Sequence, residues 1–258
     1  MSLTRLALRF AAPPPRVESF DRYLFLGPHP DDIEIGAGAT AAKLAAAGKQ
    51  VCSLICTDGR YGLEHAPQGT TPEELIHLRQ AEAMASAKAL GVTDVRFLDF
   101  SDGGFYDFED LVQAVARVVG DFRPQMILAP DPDVKSECHV DHRRVGEAAK
   151  RLAFFAPFPQ IMEKYGASAA PVEALAFYMT AKPNRFVTTR GLLPRQLSAI
   201  LCHKTQFPED SEAYQSVALY LKLRAANFGL RSLGGKAEGF RILSKTHMHC
   251  LPEAGQIK

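Results

Sequence analysis

Residues 24–36 read LFLGPHPDDIEIG. An apolar run that begins at Tyr23 stops at Pro28. His29, Asp31, Asp32 and Glu34 then crowd into one short polar stretch, and Gly36 opens the alanine-rich run GAGATAAKLAAAG (36–48). A short apolar run between polar flanks has the length of a buried strand, and an alanine-rich segment ending at a glycine is a helix with its stop signal. The stretch is therefore a strand, a polar loop and a helix.

The same unit recurs after it. QVCSLICTDG (50–59) is a second strand. Thr71-Pro-Glu-Glu then opens a long helix through ELIHLRQAEAMASAKALG, with an N-cap threonine, a proline at the first position and early acids. DVRFLDF (94–100) and QMILAPD (125–131) are strands. FEDLVQAVARVVGDF (108–122) and HVDHRRVGEAAKRLAFF (139–155) are helices. Apolar strands alternating with helices imply an α/β, Rossmann-like, mainly parallel sheet with helices on both faces and right-handed crossovers. After Phe155 the pattern loosens. FAPFPQIMEKYGASAAP reads as irregular, ALAFYMT (174–180) and RFVTT (185–189) as strands, and 191–203 and 210–231 as helices. The chain is expected to form one domain over 1–258, with a core at 1–155 and a smaller C-terminal extension of strands and helices at 156–258 packed on it.

Composition bounds the function. The chain has 258 residues, 47% of them hydrophobic, and its 30 Lys and Arg against 29 acids give a net charge of +1. No basic excess favours nucleic acid, and no acidic block suggests a disordered tail. Five cysteines at irregular spacings are not a disulfide framework and suit a reducing compartment. The N-terminal MSLTRLALRFAAPPPR is interrupted by Arg9, so it reads as neither a secretory signal nor a membrane span. A soluble cytoplasmic protein with no nucleic-acid or membrane partner is expected.

In a parallel sheet of this kind, ligands bind beyond the carboxyl ends of the strands. PHPDD, TDGRYG, FSDGG and PDPDVKSECHVDH all follow strands and fall on that edge. Zinc takes nitrogen and oxygen ligands, and a catalytic site uses three with one position open. His29 and Asp32 are close enough for a turn to bring both to one point, while Asp31 can face a bound water. HVDH adds His139, Asp141 and His142; the two histidines share a helix face, so one can bind metal while the other faces substrate. Taken singly, each motif is also an ordinary turn or helix cap. Their joint place on one sheet edge favours a metal site. Cys138 is left out because the fourth position must stay open.

These residues carry a resemblance. PHPDDIEIGAGAT, followed by TDGRYG, LRQAEAMASAKALG, SDGG, HVDH and, later, LCHKTQF and AEGFRI, resembles the LmbE/PIG-L family of zinc-dependent N-acetylglucosaminyl deacetylases, from about Tyr23 to Ile242. Ile33 and Val140 depart from common family residues but remove no ligand. The resemblance implies hydrolysis of an N-acetyl group from an N-acetylglucosamine-type sugar. Its metal ligands would be His29, Asp32 and His142, holding Zn2+, with Fe2+ fitting about as well. Asp31 would be general base, and His139, oriented by Asp141, the electrostatic or acid partner. Arg79 and Asp102 would contact substrate, and the resemblance allows a homo-oligomer.

Each of these last residues has a plainer reading. Arg79 lies mid-helix, where an ion pair with Glu82 is common, and Asp102 can make an Asx turn. Arg60 and Tyr61 can line the pocket, Glu34 can support or cap, and His203 and Gln206 suit pocket or packing positions. THMHC (246–250) reads as an edge strand or subunit contact, with a second metal at His247, His249 and Cys250 as the lesser reading. One competing function remains. GAGATA (36–41) satisfies G-x-G-x-x-A, and Asp58 follows at a strand end, as in a dinucleotide-binding oxidoreductase. Against it, PHPDDIEI separates the glycines from the strand and puts negative charge where a pyrophosphate would sit.

Overall fold

The computed structural model describes residues 10–249 and Leu251. Most of the signal-like N-terminal run, and Cys250, lie outside the described residues. The chain alternates β1 (Arg22–Gly27), α1 (Asp32–Ala46), β2 (Gln50–Thr57), α2 (Pro72–Leu90), β3 (Asp94–Phe100), α3 (Phe108–Phe122), β4 (Met126–Pro130) and α4 (Val140–Phe155). There follow α5 (Pro159–Lys164), β5 (Ala174–Tyr178), β6 (Arg185–Thr188), α6 (Leu193–Ile200), α7 (Glu212–Ser232) and β7 (Ala237–Ser244).

The strands lie in the order β3-β2-β1-β4-β5-β7-β6. β1 to β5 are mutually parallel, and β7 runs antiparallel to β5 and β6. Alternation along each strand builds the two faces. Leu24 and Leu26 of β1 join Cys52, Leu54 and Cys56 of β2 under α3 and α4. Tyr23 and Phe25 join Val51 and Ile55 under α1 and α2. Strand order reverses between β1 and β4, so the loops that follow these two strands open a crevice at the switch point. His29 lies in the first loop and His139 closes the second.

The helices start where side chains satisfy their free amides. Thr71 and Glu74 form a reciprocal capping box on α2, and the Asp107 carboxylate caps α3. α1 starts at Asp32 rather than at the expected Gly36, which puts Asp32 and Glu34 in its first turn. It breaks at Ala37, where φ is −152°. The Glu238 carboxylate of β7 enters the break and accepts the Ala39 and Thr40 amides at 3.1 and 2.7 Å. The C-terminal segment is thus bonded to the helix that carries the acidic loop.

Three readings are corrected. The stretch expected to be irregular after Phe155 contains α5, begun by Pro159 at its first turn and anchored by buried Met162. β7 was not expected, because Glu238, Gly239 and Arg241 interrupt its apolar pattern; its pairing with β5 and β6 decides it. THMHC does not continue the strand: 245–248 are turn. His247 bonds Ser244 through Nδ1 and donates Nε2–H to the Ala12 carbonyl at 2.8 Å, while His249 packs on Phe154, so no metal group forms there among the described residues. The helix expected over 36–48 is present, so GAGATA is not the phosphate loop of the competing reading. A Cβ on Gly36 would enter the Tyr178 ring, and one on Gly38 would meet Gln196 at 3.1 Å. The glycines serve close packing of α1.

Candidate active site

The crevice gathers side chains from all four loops that follow β1 to β4. The His29 backbone donates to Asp32 Oδ2 at 2.8 Å, and its Nδ1 lies 3.1 Å from the same oxygen. His142 Nε2 lies 3.3 Å from Asp32 Oδ1. The His29 and His142 rings, far apart in sequence, are 5.4 Å apart between centroids. One ligand atom each from His29, Asp32 and His142 fall within 4.8 Å of one another. Each imidazole has its other nitrogen on a carboxylate: His29 Nε2 on Asp141 Oδ2 at 3.1 Å, His142 Nδ1 on Glu137 Oε2 at 3.0 Å. Such outer carboxylates fix the ring and raise its basicity as a metal ligand. The donor set therefore fits a divalent ion of the zinc or iron(II) type.

His29, His139 and Asp141 form an alternative group of the same size. Its carboxylate is already engaged. Asp141 is fully buried, and it accepts Gly103 N–H at 2.7 Å and Tyr106 O–H at 2.9 Å besides facing His29. Asp32 faces only the two imidazoles and the His29 backbone, so it has lone pairs to give. We take the first group as the better metal site.

Asp31, adjacent in sequence, has a different environment. Its φ of 139° is rare for a non-glycine residue and turns the side chain away from the imidazoles. Arg79 meets it with Nη2 at 3.0 Å and also donates to the Pro30 and Gly59 carbonyls, each at 2.9 Å. Gly59 (φ +69°) has to be glycine, because a Cβ there would overlap the guanidinium. Arg79 is only 3% exposed. The guanidinium positions Asp31 from the wall of the cleft. It does not pair with Glu82, whose carboxylate takes the Thr205 amide and hydroxyl.

Charges separate the two aspartates. Burial pushes the Asp31 carboxyl up to about 6 although Arg79 opposes it. Burial acts the same way on Asp32, but His142 and His29 overcome it and hold that carboxyl well below the usual range. Burial lowers the imidazoles, yet Asp141 and Asp32 raise His29 to about 10, and Asp32 raises His142 to about 9. His139 differs. Burial and the neighbouring His29 and His142 lower it. Asp141 Oδ2 lies 3.7 Å from its Nδ1, and that nitrogen accepts the Asp141 backbone amide at 3.3 Å. The Asp141 carboxylate thus lies against both rings, at 3.1 Å from His29 and 3.7 Å from His139, and the Asp141 backbone also holds His139. The neutral ring then has its proton on Nε2.

A cleft of ≈ 330 Å³ opens over these groups, with Asp31, Tyr61, Arg79, Asp102, His139 and Gln206 in its wall. Asp102 accepts the Tyr61 amide at 3.4 Å through Oδ2, while its buried Oδ1 has no partner. Behind the cleft, Glu34 accepts Ser86 Oγ at 2.8 Å and lies 3.7 Å from fully buried His203. A larger hollow of ≈ 660 Å³ runs along α4 past Phe108, Arg143 and Phe154, and holds none of the metal-group residues. Glu137 and Tyr106 were not singled out in the sequence. Glu137 stood in the quoted loop, and only its contact with His142 marks it; Tyr106 carried no signal beyond following SDGG.

Comparison with known proteins identifies the family. Residues 24–153 match the family described as PIG-L: GlcNAc-PI de-N-acetylase. The chain is 33% identical over 239 residues to a diacetylchitobiose deacetylase of Thermococcus kodakarensis, covering 92% of this chain and 88% of that protein. It is 31% identical to a 1D-myo-inositol 2-acetamido-2-deoxy-alpha-D-glucopyranoside deacetylase of Thermomonospora curvata, over 74% of this chain and 82% of that one. The structure superposes on an N,N'-diacetylchitobiose deacetylase from Pyrococcus horikoshii with a TM-score of 0.85 at 28% identity, covering 98% and 97% of the two chains. Nothing in these matches supports the oxidoreductase alternative. The chain belongs to the PIG-L, or LmbE-like, family of deacetylases.

Proposed function

We propose that the protein hydrolyses the N-acetyl group of an N-acetylglucosamine-type sugar or conjugate, releasing acetate and a free amine, with a zinc ion held by His29, Asp32 and His142. The observation that carries this reading is the division between two adjacent carboxylates: Asp32 faces both imidazoles, and Asp31 is turned to Arg79. When bound, the ion supplies Lewis-acid charge that polarises an amide carbonyl and acidifies water. Iron(II) suits the same donors.

The chain's own residues do the rest. Asp31, in the cleft wall and free of the imidazoles, accepts a proton from the attacking water at its carboxylate; such a base contributes ~10²–10⁴-fold. Arg79 holds that carboxylate in place. His139, with Nδ1 held by the backbone, donates a hydrogen bond from Nε2–H to the developing oxyanion, and the proton taken up by Asp31 passes to the leaving amine; one such oxyanion donor is worth ~10²–10³ in kcat. Asp102 Oδ1 accepts a sugar hydroxyl. Asp141, Tyr106 and Gly103 fix His29, and Glu137 fixes His142.

We read 1–258 as one domain, supported by β7 pairing with β5 and by the Glu238 contact with α1. A cytoplasmic location is supported by the irregular cysteine spacing, and the four cysteines among the described residues are free. No helix among the described residues is long and apolar enough to cross a membrane. The test is an amine-release assay over N-acetylglucosamine, diacetylchitobiose and an N-acetylglucosamine–inositol conjugate, with metal analysis and with chelator. Release that chelator abolishes and zinc restores supports the reading. Bound zinc without release from any of the three refutes it.

A further inference from the structure

Two large aromatic side chains stand at the mouth of the cleft with nothing over them. Tyr61, in the loop after β2, is 55% exposed, and Phe105, in the loop after β3, is 73% exposed. They come from different loops yet meet edge to face, with ring centroids 6.1 Å apart at 80°. Tyr61 lines the same cleft as Asp31 and His139. Its position is tied to the floor, since its backbone amide donates to Asp102. Phe105 is seated by the turn before it: Gly103 and Gly104 have φ of +81° and +80°, and a Cβ on Gly103 would meet the Phe105 ring at 3.0 Å. Local backbone geometry thus places the ring, although no apolar core rewards its position.

The pair has a definite shape. Two flat rings nearly at right angles make a floor and a wall. That suits a rigid ring with a flat apolar face better than a flexible chain. The cleft itself, at ≈ 330 Å³, is at the low end of the roughly 300–1,000 Å³ usual for ligand pockets, and so takes one sugar with its acetyl group. Whatever is attached to that sugar leaves past Tyr61 and Phe105. Asp102, which accepts the Tyr61 backbone amide, is only 7% exposed and its Oδ1 has no partner, so the cleft beside Tyr61 offers a hydrogen-bond acceptor to a hydroxyl of the substrate. An apolar ring face combined with a buried acceptor matches a polyhydroxylated six-membered ring, whose C–H groups line its faces and whose hydroxyls point from its rim.

We propose that Tyr61 and Phe105 seat a second six-membered polyol ring, joined to the N-acetyl sugar whose amide lies over Asp31, and so select two-ring substrates over one-ring ones. This rests on the deacetylase reading above and adds a specificity site to it. A pyranose and a cyclitol both present such a ring, so the assay separates them.

The experiment measures kcat/KM for N-acetylglucosamine, diacetylchitobiose and the N-acetylglucosamine–inositol conjugate, in the wild type and in Tyr61→Ala, Phe105→Ala, Phe105→Leu and Phe105→Tyr. The readout is the ratio of two-ring to one-ring kcat/KM. For at least one two-ring substrate the wild-type ratio is expected to exceed one, and the ring it carries identifies the occupant. Phe105→Ala and Tyr61→Ala should cut that ratio roughly 5- to 10-fold, mainly through KM, the scale of one aromatic contact. Phe105→Leu keeps an apolar side chain but no flat face and should cut it similarly, whereas Phe105→Tyr should keep it. A ratio unchanged in Ala and Leu variants overturns the proposal. So does an equal loss on all substrates accompanied by a shift in sedimentation, which would make Phe105 a subunit contact. A wild type that releases amine from none of the three fails earlier, at the deacetylase reading, and the two failures are therefore distinct.

Discussion

The imidazole side and the guanidinium side of the cleft hold the same residue type one position apart and treat it in opposite ways. On the imidazole side, Asp32 contacts His29 and His142, and its carboxyl is held far below the usual range. On the guanidinium side, Asp31 has Arg79 and a positive φ, and burial pushes it up to about 6. Two titratable groups driven apart in this way can take different tasks within one site. The backbone makes the division. With Asp31 in an ordinary extended or helical conformation, both carboxylates would compete for the same pair of imidazoles.

The largest effect should come from breaking each side in turn. Asp31→Asn is expected to lower kcat/KM by ~10²–10⁴ with zinc content unchanged, while Asp32→Asn should lose the metal itself, both read by metal analysis beside the assay. Equal metal loss in the two variants would erase the division. The next comparison sets two buried arginines against each other. Arg79→Met should lower kcat by about 10²-fold, because the base is misplaced. Arg241, buried behind β4, is bonded to Asp131 at 2.9 Å and to Asp133 at 2.8 Å, away from the cleft. Arg241→Met should cost about 3–5 kcal/mol of stability, since it leaves a buried carboxylate alone, and leave kcat of the folded enzyme as it was.

The pH dependence of that cost has a definite sign. Burial raises the Asp131 carboxyl, but Arg241 overcomes this and holds it below its ordinary value. A depressed carboxyl stabilises the fold above its unfolded value of about 4 and stops doing so as pH falls through the folded one. The gap between wild type and Arg241→Met in denaturant melts should therefore close below pH about 4. A constant gap would show that packing of Arg241 on Phe177, 4.4 Å from the ring centroid, dominates instead.

Smaller effects sharpen the imidazole side. Glu137→Gln should weaken zinc binding by roughly 10- to 100-fold, read by competition with a chelator, while activity at saturating zinc stays closer to wild type. Tyr106→Phe removes one donor from Asp141 and should cost about 0.5–1.5 kcal/mol in thermal or denaturant stability. A larger loss of metal in Tyr106→Phe than in Glu137→Gln would mean that Asp141, not Asp32, is the ligand carboxylate.

Much of this was legible in the sequence, for physical reasons that differ by residue. Apolar strands alternating with helices require a covered parallel sheet, and such a sheet puts the loops of PHPDD and HVDH on one edge. The resemblance gave HPDD and HVDH their chemical meaning. The contact of Arg79 with Asp31 was not legible, because a side chain that reaches from a helix to a distant loop leaves no local pattern. β7 was missed because a strand accepts Glu238 and Arg241 when one caps the break in α1 and the other neutralises Asp131.

The sequence by itself determined the layered α/β architecture, the edge on which the chemistry lies and the kinds of ligand atoms available there, since periodicity and residue type are local properties. Only the tertiary structure decided which carboxylate meets the imidazoles, that the Asp141 carboxylate bonds His29 while its backbone amide holds His139, and that Tyr61 and Phe105 share the mouth of one cleft. Those outcomes depend on distances of a few ångströms between segments tens of residues apart, which packing sets and no local pattern encodes.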